Sequence, residues 1–322
     1  MNAPEIRRPA AQFATRRRIV GAIAAAVTTA LAAPALAQFS FSFGGSGDKK
    51  GSTIDLNKLF SGIESVFDGF NLDEKDELAI GTKLFPRMID RSGGAYANRR
   101  AQGALQRFAE DLLKTSTRRD FPWEVVLVNN NTLNAWALPG GKIAVHKGLL
   151  RYTSNETELA AVISHEIGHV ELSHGLAQMK TEDFTKGLTK IAQQTILNQG
   201  KSGVLNDMVL DLVEDRIMNV VTTGYSRDRE FEADLHILKI FGETGHDPAK
   251  AAGFFKVLLD VIPPGTAGTT SLFSTHPGTR ERIARIEDAA RDMPPPQQPS
   301  RASGFAAMKK YFPNGKFYRR RG

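Results

Sequence analysis

His165, Glu166 and His169 lie in the run His165-Glu166-Ile167-Gly168-His169, an H-E-x-x-H pattern. On a helix, residues i and i+4 share a face, so both imidazoles can reach one metal ion while Glu166 sits beside it. Two imidazoles are too few, because a hydrolytic zinc site takes three protein ligands and keeps a fourth position open. A third ligand can come from Glu230-Phe231-Glu232-Ala233-Asp234, where Glu230 and Asp234 stand at i and i+4 of a predicted helix. Glu230 can complete the set, and Asp234, one turn later, can accept the ring N–H of a ligand histidine and fix its tautomer. Glu232 points to another face. The plain alternative for this segment is a charged helix surface paired with Arg227 and Arg229. The chain has no cysteine, which excludes disulfides, iron–sulfur clusters, cysteine-ligated zinc and thiol catalysis. Any metal is therefore held by His, Asp or Glu, and the expected cofactor is one zinc ion per chain.

The elements that must carry these residues can be read from patterning. Apolar residues recur at helical spacing from Asp73 to about Thr115, with a break at Ser92-Gly93-Gly94, which predicts two helices. Trp123 to Val128 and Gly141 to Val145 read as strands of a small sheet, with turns at Asn129 to Asn131 and Pro139 to Gly141. Ser154-Asn155-Glu156-Thr157-Glu158 offers an N-cap and early acids to the helix carrying the H-E-x-x-H motif. Further helices are predicted from about Asp228 to Phe241, over Pro248 to Val261, and from Pro277 to Ala290. Strands come first and helices follow, so the fold class is α+β, mainly helical, with a small β-sheet next to the motif helix. Asn134, Ala135 and Trp136 begin a segment running to Leu138, expected to be an exposed strand edge to which an extended substrate adds by backbone hydrogen bonds. Packing of Trp136 and Leu138 in the core is compatible with this, because strand residues alternate faces. The 60 residues between His169 and Glu230, with an amphipathic stretch from Val204 to Val221, are long enough for a lid over the cleft.

Composition bounds the rest. The 322 residues are 41% hydrophobic and 24% charged, which excludes collagen-like and fully disordered chains. The net charge of +7 is concentrated at the ends. Residues 1–37 hold five arginines against Glu5, and residues 294–322 hold seven cations and no acid, so the middle is net negative. That distribution argues against a basic nucleic-acid face on the body of the protein. The N-terminus reads as an export signal: Arg16 to Arg18, an apolar run from Ile19 to Ala33, and Ala35-Leu36-Ala37 as a cleavage site. The run is shorter than the roughly 20 residues that span a bilayer. Thr15 to Val20 also has the look of a twin-arginine signal. The expected organisation is a signal peptide over 1–37, a flexible leader over 38–72, a domain carrying the H-E-x-x-H metal motif over 73–292 and a basic tail over 293–322. The tail is expected to be solvated or to contact an anionic membrane surface.

The H-E-x-x-H motif joined to Glu230-x-Glu232-Ala233-Asp234 resembles the gluzincin metallopeptidases of the HtpX, BepA and CAAX-prenyl-protease type. Asn134 to Gly141 with Gly148-Leu149-Leu150, Tyr225-Ser226-Arg227-Asp228, and Ser274-Thr275-His276-Pro277 leading to Arg282-Ile283 agree with it. The match covers about residues 75–290. It implies a zincin-like endopeptidase fold with His165, His169 and Glu230 as ligands, Glu166 as base acting on a zinc-activated water, and Asp234 behind the ligands. It also implies that His276 lies near the active site, either donating to the oxyanion or filling the open zinc position and holding the enzyme latent. His146, His174, His236 and His246 are expected to be ordinary, with His174 close enough in sequence to the motif to be checked. The lack of membrane spans within the domain and of a helical repeat array after residue 292 is expected to make this an exported, stand-alone peptidase similar to the BepA and LoiP kind. The resemblance implies a periplasmic or exported quality-control enzyme whose substrates are misfolded, stalled or misassembled envelope proteins. The competing expectation is a non-enzymatic holdase or assembly factor with a structural zinc.

Overall fold

The computed structural model describes residues 74–179, 202–261, 276, 279–300 and 304–314. The expected signal peptide, the leader and the end of the tail lie outside them, as do residues 180–201 of the expected lid. The chain divides into two compact units, residues 1–76 with 180–214 and residues 77–179 with 215–322. In the first, the described residues are the start of one helix and most of another; the fold below is that of the second.

In chain order the elements are α1 (Glu74–Arg91), α2 (Arg99–Leu113), β1 (Glu124–Val128), β2 (Ala135–Leu138), β3 (Lys142–His146), α3 (Glu156–Glu171), α4 (His174–Met179), α5 (Ser202–Thr223), α6 (Arg227–Thr244), α7 (Gly253–Val261), α8 (Thr279–Ala290) and α9 (Phe305–Lys309). The α+β class holds: helices surround a three-stranded sheet. The expected helix over Pro248 to Val261 is split into a short 3-10 turn, Pro248–Lys250, and α7. No helix among the described residues is long and apolar enough to cross a membrane.

α3 forms where the sequence supplies both a start signal and a continuous apolar run. The Asn155 side chain accepts from the Glu158 backbone N–H at 3.0 Å, and the Glu158 carboxylate reaches back to the Ser154 backbone N–H at 2.6 Å. This reciprocal cap satisfies donors that a helix start leaves unpaired. Beyond it, every residue from Glu158 to Val170 is buried, so α3 is the central helix of the core. It packs on α6 along one side and on β2 along another. Gly168 makes the α3–α6 crossing close, since a Cβ there would stand 2.9 Å from the His236 Cβ and 3.2 Å from the Ala233 Cα. The helix axes approach only because the motif carries no side chain at that turn.

The sheet order is β1-β3-β2, with β1 parallel and β2 antiparallel to β3. The β2–β3 hairpin closes through Gly140 and Gly141 at φ +76° and +80°, a region that favours glycine. The outer edge of β1 is sealed by side chains of α2. Gln102 donates to the Leu127 carbonyl at 2.7 Å and accepts from the Leu127 N–H at 2.8 Å, and Gln106 accepts from Val125 N–H at 3.2 Å. Among the described residues no strand pairs with the outer edge of β2. All four β2 residues are nonetheless buried, without the expected alternation. Both faces of the strand are covered, one by α3 and the other beside Val220, Val221 and Tyr225.

One expectation about the C-terminus is corrected. Residues 304–314 are not a solvated tail: Met308 and Phe312 are buried in the core, and Phe312 packs against Tyr96 with ring centroids 5.3 Å apart. Lys309 donates to the carbonyls of Leu150 and Thr153 at 2.7 and 2.8 Å. An ammonium engaged by two backbone carbonyls is not displayed to a membrane, and apolar residues between the basic ones drive the docking.

Candidate active site

The helical period puts His165, Glu166 and His169 on α3, and the α3–α6 crossing at Gly168 brings Glu230 and Asp234 of α6 against them. His276 arrives from the segment before α8. Ligand-type atoms of His165, His169, Glu230 and His276 all lie within 4.8 Å of one another, and all four residues are buried. The Nε2 atoms of His165 and His169 are 3.0 Å apart. Glu230 Oε2 is 3.3 Å from His165 Nε2, and Glu230 Oε1 is 3.6 Å from His169 Nε2. His276 Nδ1 stands 3.2 Å from His165 Nε2 and 2.9 Å from Glu230 Oε2. Donors of a tetrahedral zinc site, with bonds of about 2.0–2.1 Å, lie roughly 3.3 Å apart. The spacing and the nitrogen and oxygen chemistry of this group therefore fit a zinc-sized cation, which would also relieve the crowding of lone pairs on facing imidazoles.

Asp234 and Arg282 sit behind the four. Asp234 Oδ1 is 3.0 Å from His165 Nδ1, so a proton held there leaves Nε2 free to ligate. Arg282, on α8 and almost wholly buried, grips Asp234 with Nε at 2.7 Å and Nη2 at 2.6 Å, reaches Glu230 with Nη1 at 2.9 Å, and donates to the His276 carbonyl at 3.3 Å. It also lies over the Phe255 ring. One guanidinium fork thus ties together a candidate ligand, its neighbour and the His276 segment. Burial raises the Asp234 pKa, but the bonds from Arg282 and His165 outweigh it and hold the carboxylate ionised. Burial likewise works against Glu230, yet His276, the His165 bond and Arg282 carry it well below the ordinary carboxylate value. His165 is pushed down by burial and by Arg282, but its bonds to Asp234 and Glu230 prevail and raise it to about 9. His169, buried and beside His165, is pushed well below the ordinary histidine value and keeps a free lone pair.

Glu166 faces a small cleft lined also by Ala135, Trp136, Ala137, Val220 and Tyr225. Its Oε1 has no hydrogen-bond partner and is 3.5 Å from His276 Nε2. Burial raises its pKa more than the neighbouring His276 and His165 lower it. A carboxylate moved up from its usual range, with one oxygen unengaged, is suited to take and return a proton. Of the three expected strand residues, Ala135 and Trp136 line this cleft. Asn134 does not: it is buried, and its carbonyl accepts from His146 N–H at 3.0 Å. Trp136 is fixed by an indole N–H bond to His146 Nε2 at 3.3 Å and an edge contact with Phe85.

A family model described as "Peptidase family M48" matches residues 99–290, which contain every residue of this group. The chain belongs to peptidase family M48. The M48 chain is 26% identical to "Metalloprotease YcaL" of Escherichia coli K12 over 235 residues, 73% of this chain and 88% of that one. It is 24% identical to the "Beta-barrel assembly-enhancing protease" of the same organism over 291 residues, 87% of this chain and 53% of that one. It is 33% identical to the "Mitochondrial metalloendopeptidase OMA1" of Arabidopsis thaliana over 178 residues, 54% of this chain and 33% of that one. The last two matches thus span about half and a third of the relatives' length. This M48 protein is a metalloendopeptidase, and its substrates are proteins.

Three residues of the site escaped sequence reasoning. Arg282 was visible only as part of a resemblance, although it shares the buried face of α8 with Ile283, Ile286 and Ala290, and an arginine in an apolar stripe is a signal that it is paired. Tyr225, likewise visible only as part of the resemblance, stacks on the His169 ring with centroids 4.2 Å apart at 20°; a tyrosine just before a helix start carries no local sign of this. His174, expected to be ordinary but close enough to the motif to be checked, lies against His169. The other three remain outside the site: His146 bonds Thr132 and Trp136, His236 lies 2.8 Å from Glu171, and His246 stacks on Phe241.

Proposed function

We propose that this chain is a zinc-dependent endopeptidase of the bacterial cell envelope that hydrolyses misfolded or stalled envelope proteins, with His165, His169 and Glu230 holding one zinc ion. The observation that carries the reading is the convergence of two imidazole nitrogens and a carboxylate from separate helices at zinc-ligand spacing. Held by these residues, zinc would polarise a scissile carbonyl and lower the pKa of water toward about 7. Glu166 takes the proton from the attacking water on its unengaged oxygen and delivers it to the leaving amine. Asp234 holds His165 in the ligating tautomer, and Arg282 holds Asp234 and Glu230.

The outer edge of β2 aligns an extended peptide across Glu166 by backbone hydrogen bonds, while Ala135, Trp136 and Ala137 receive side chains. Among the described residues, the sealed β1 edge leaves β2 as the available one. Such binding reads backbone more than side chains, as removal of varied unfolded proteins requires. His276, with Nδ1 among the candidate ligands, would block the site in a latent form of the enzyme and would have to swing away for cleavage. Export rests on the signal-like residues 1–37, with cleavage after Ala37, and envelope substrates rest on the resemblance together with the similarity to the Beta-barrel assembly-enhancing protease.

The test is metal content and casein cleavage by the purified chain, compared with Glu166→Gln and with chelator-treated protein. About one zinc per chain, with cleavage lost in both comparisons, is the expected result. Zinc with no cleavage calls for His276→Ala, which should release activity. Persistent inactivity of that variant would favour a structural zinc, and a chain without zinc would overturn the site reading.

A further inference from the structure

We propose, granting that His165, His169 and Glu230 hold zinc, that His174 and Glu232 are positioning residues that orient His169 through a two-step proton chain. The two candidate ligand histidines are supported differently. His165 Nδ1 meets the Asp234 carboxylate directly at 3.0 Å. His169 Nδ1 meets another imidazole, His174 Nδ1, at 2.8 Å, and His174 Nε2 meets Glu232 Oε2 at 3.0 Å.

One requirement fixes every proton along this line. For His169 Nε2 to offer a lone pair to the metal, its proton must sit on Nδ1, which then donates to His174 Nδ1. His174 must accept there, so its own proton lies on Nε2 and is donated to Glu232. Each donor thus has an acceptor, and the chain ends on a carboxylate, as second-layer support of metal-bound histidines commonly does. His174 is almost fully buried, whereas the Glu232 side chain is 60% exposed. The histidine therefore carries the orienting bond, and the glutamate anchors its tautomer from the surface. Tyr225, stacked on the His169 ring, blocks rotation on the flat side, so the Nδ1 bond controls the remaining freedom in the ring plane.

The spacing explains why Glu232 belongs to the site although Glu230 and Asp234 share the other face of α6. Glu230 and Asp234 serve His165 and the metal from within; Glu232, two residues from Glu230, reaches round to α4.

The experiment measures zinc affinity of the full chain by competition with a chromogenic chelator, alongside the d–d absorption of the cobalt-substituted protein and thermal unfolding of the metal-free form. His174→Leu, which has no acceptor, should weaken zinc about 10- to 100-fold and shift the cobalt bands while the metal-free protein unfolds near the wild-type temperature. His174→Asn places a carbonyl oxygen near the Nδ1 position and should recover most of that affinity. Glu232→Gln should weaken zinc severalfold when His174 is present and have no effect beside His174→Asn, since the chain is already cut. Wild-type affinity and cobalt spectrum in His174→Leu would overturn the proposal, as would a Glu232→Gln effect that is the same in both backgrounds. Failure of the zinc reading has a separate signature: the wild-type chain would bind no zinc, or His165→Ala would bind it as tightly as wild type.

Discussion

Replacing Arg282 with methionine should destabilise the metal-free protein far more than its loss of packing explains. The guanidinium lies within 2.6–2.9 Å of Asp234 and Glu230, and all three side chains are at most 2% exposed. At an effective dielectric of about 20, each ion pair at roughly 2.8 Å contributes about 6 kcal/mol of attraction, most of it offset by desolvation of the charges. Removing the cation leaves that desolvation standing for two carboxylates, and breaking such a buried pair costs about 3–5 kcal/mol. For a unit of this size the midpoint should fall by about 6–20 °C. The assay is thermal and urea unfolding of chelator-treated full chain for wild type, Arg282→Met and Arg282→Met/Asp234→Asn. The double variant should regain stability over Arg282→Met, because it removes one stranded charge. A loss below about 1 kcal/mol in Arg282→Met, or a double variant less stable than the single one, would refute the view that these carboxylates depend on Arg282.

Gly168→Ala should lose about 1–3 kcal/mol and weaken zinc binding, since its Cβ would strike His236 and Ala233 at the α3–α6 crossing. Helix propensity alone predicts a gain of about 1 kcal/mol, so calorimetry on the variant reads the sign directly. Burial lowers His146 to about 4 from 6.5, so between those values the unfolded chain binds a proton that the folded chain does not. Stability should therefore fall as pH drops from 6.5 to 4, by about 3 kcal/mol from this residue, and urea midpoints of His146→Gln should show a shallower slope over that window. Met308→Ala should cost about 2–5 kcal/mol in urea unfolding, and truncation after Ser303 should cost at least as much, because Met308 and Phe312 fill the core; a solvated tail would leave both unchanged.

Sequence determined the local half of this site. The i, i+4 spacing puts His165 and His169 on one face whatever surrounds the helix, and the cap at Asn155 and the glycine turn at Gly140 and Gly141 follow from residue chemistry over a few positions. The α+β class and most element limits follow for the same reason, since periodicity is a property of the backbone. Tertiary structure decided what lies across chain separations that no period spans. His276 is 111 residues from His165, and Arg282 is 48 from Asp234. Their meeting depends on how closely α3, α6 and α8 pack. Burial then gives these meetings their force: in a dry interior an arginine must find carboxylates and each imidazole proton must find an acceptor. His174 looked ordinary because its partners come from two different helices. The basic C-terminal segment reads as solvated because residues 294–322 carry seven cations and no acid, whereas Met308 and Phe312, once given a surface to cover, decided where it lies.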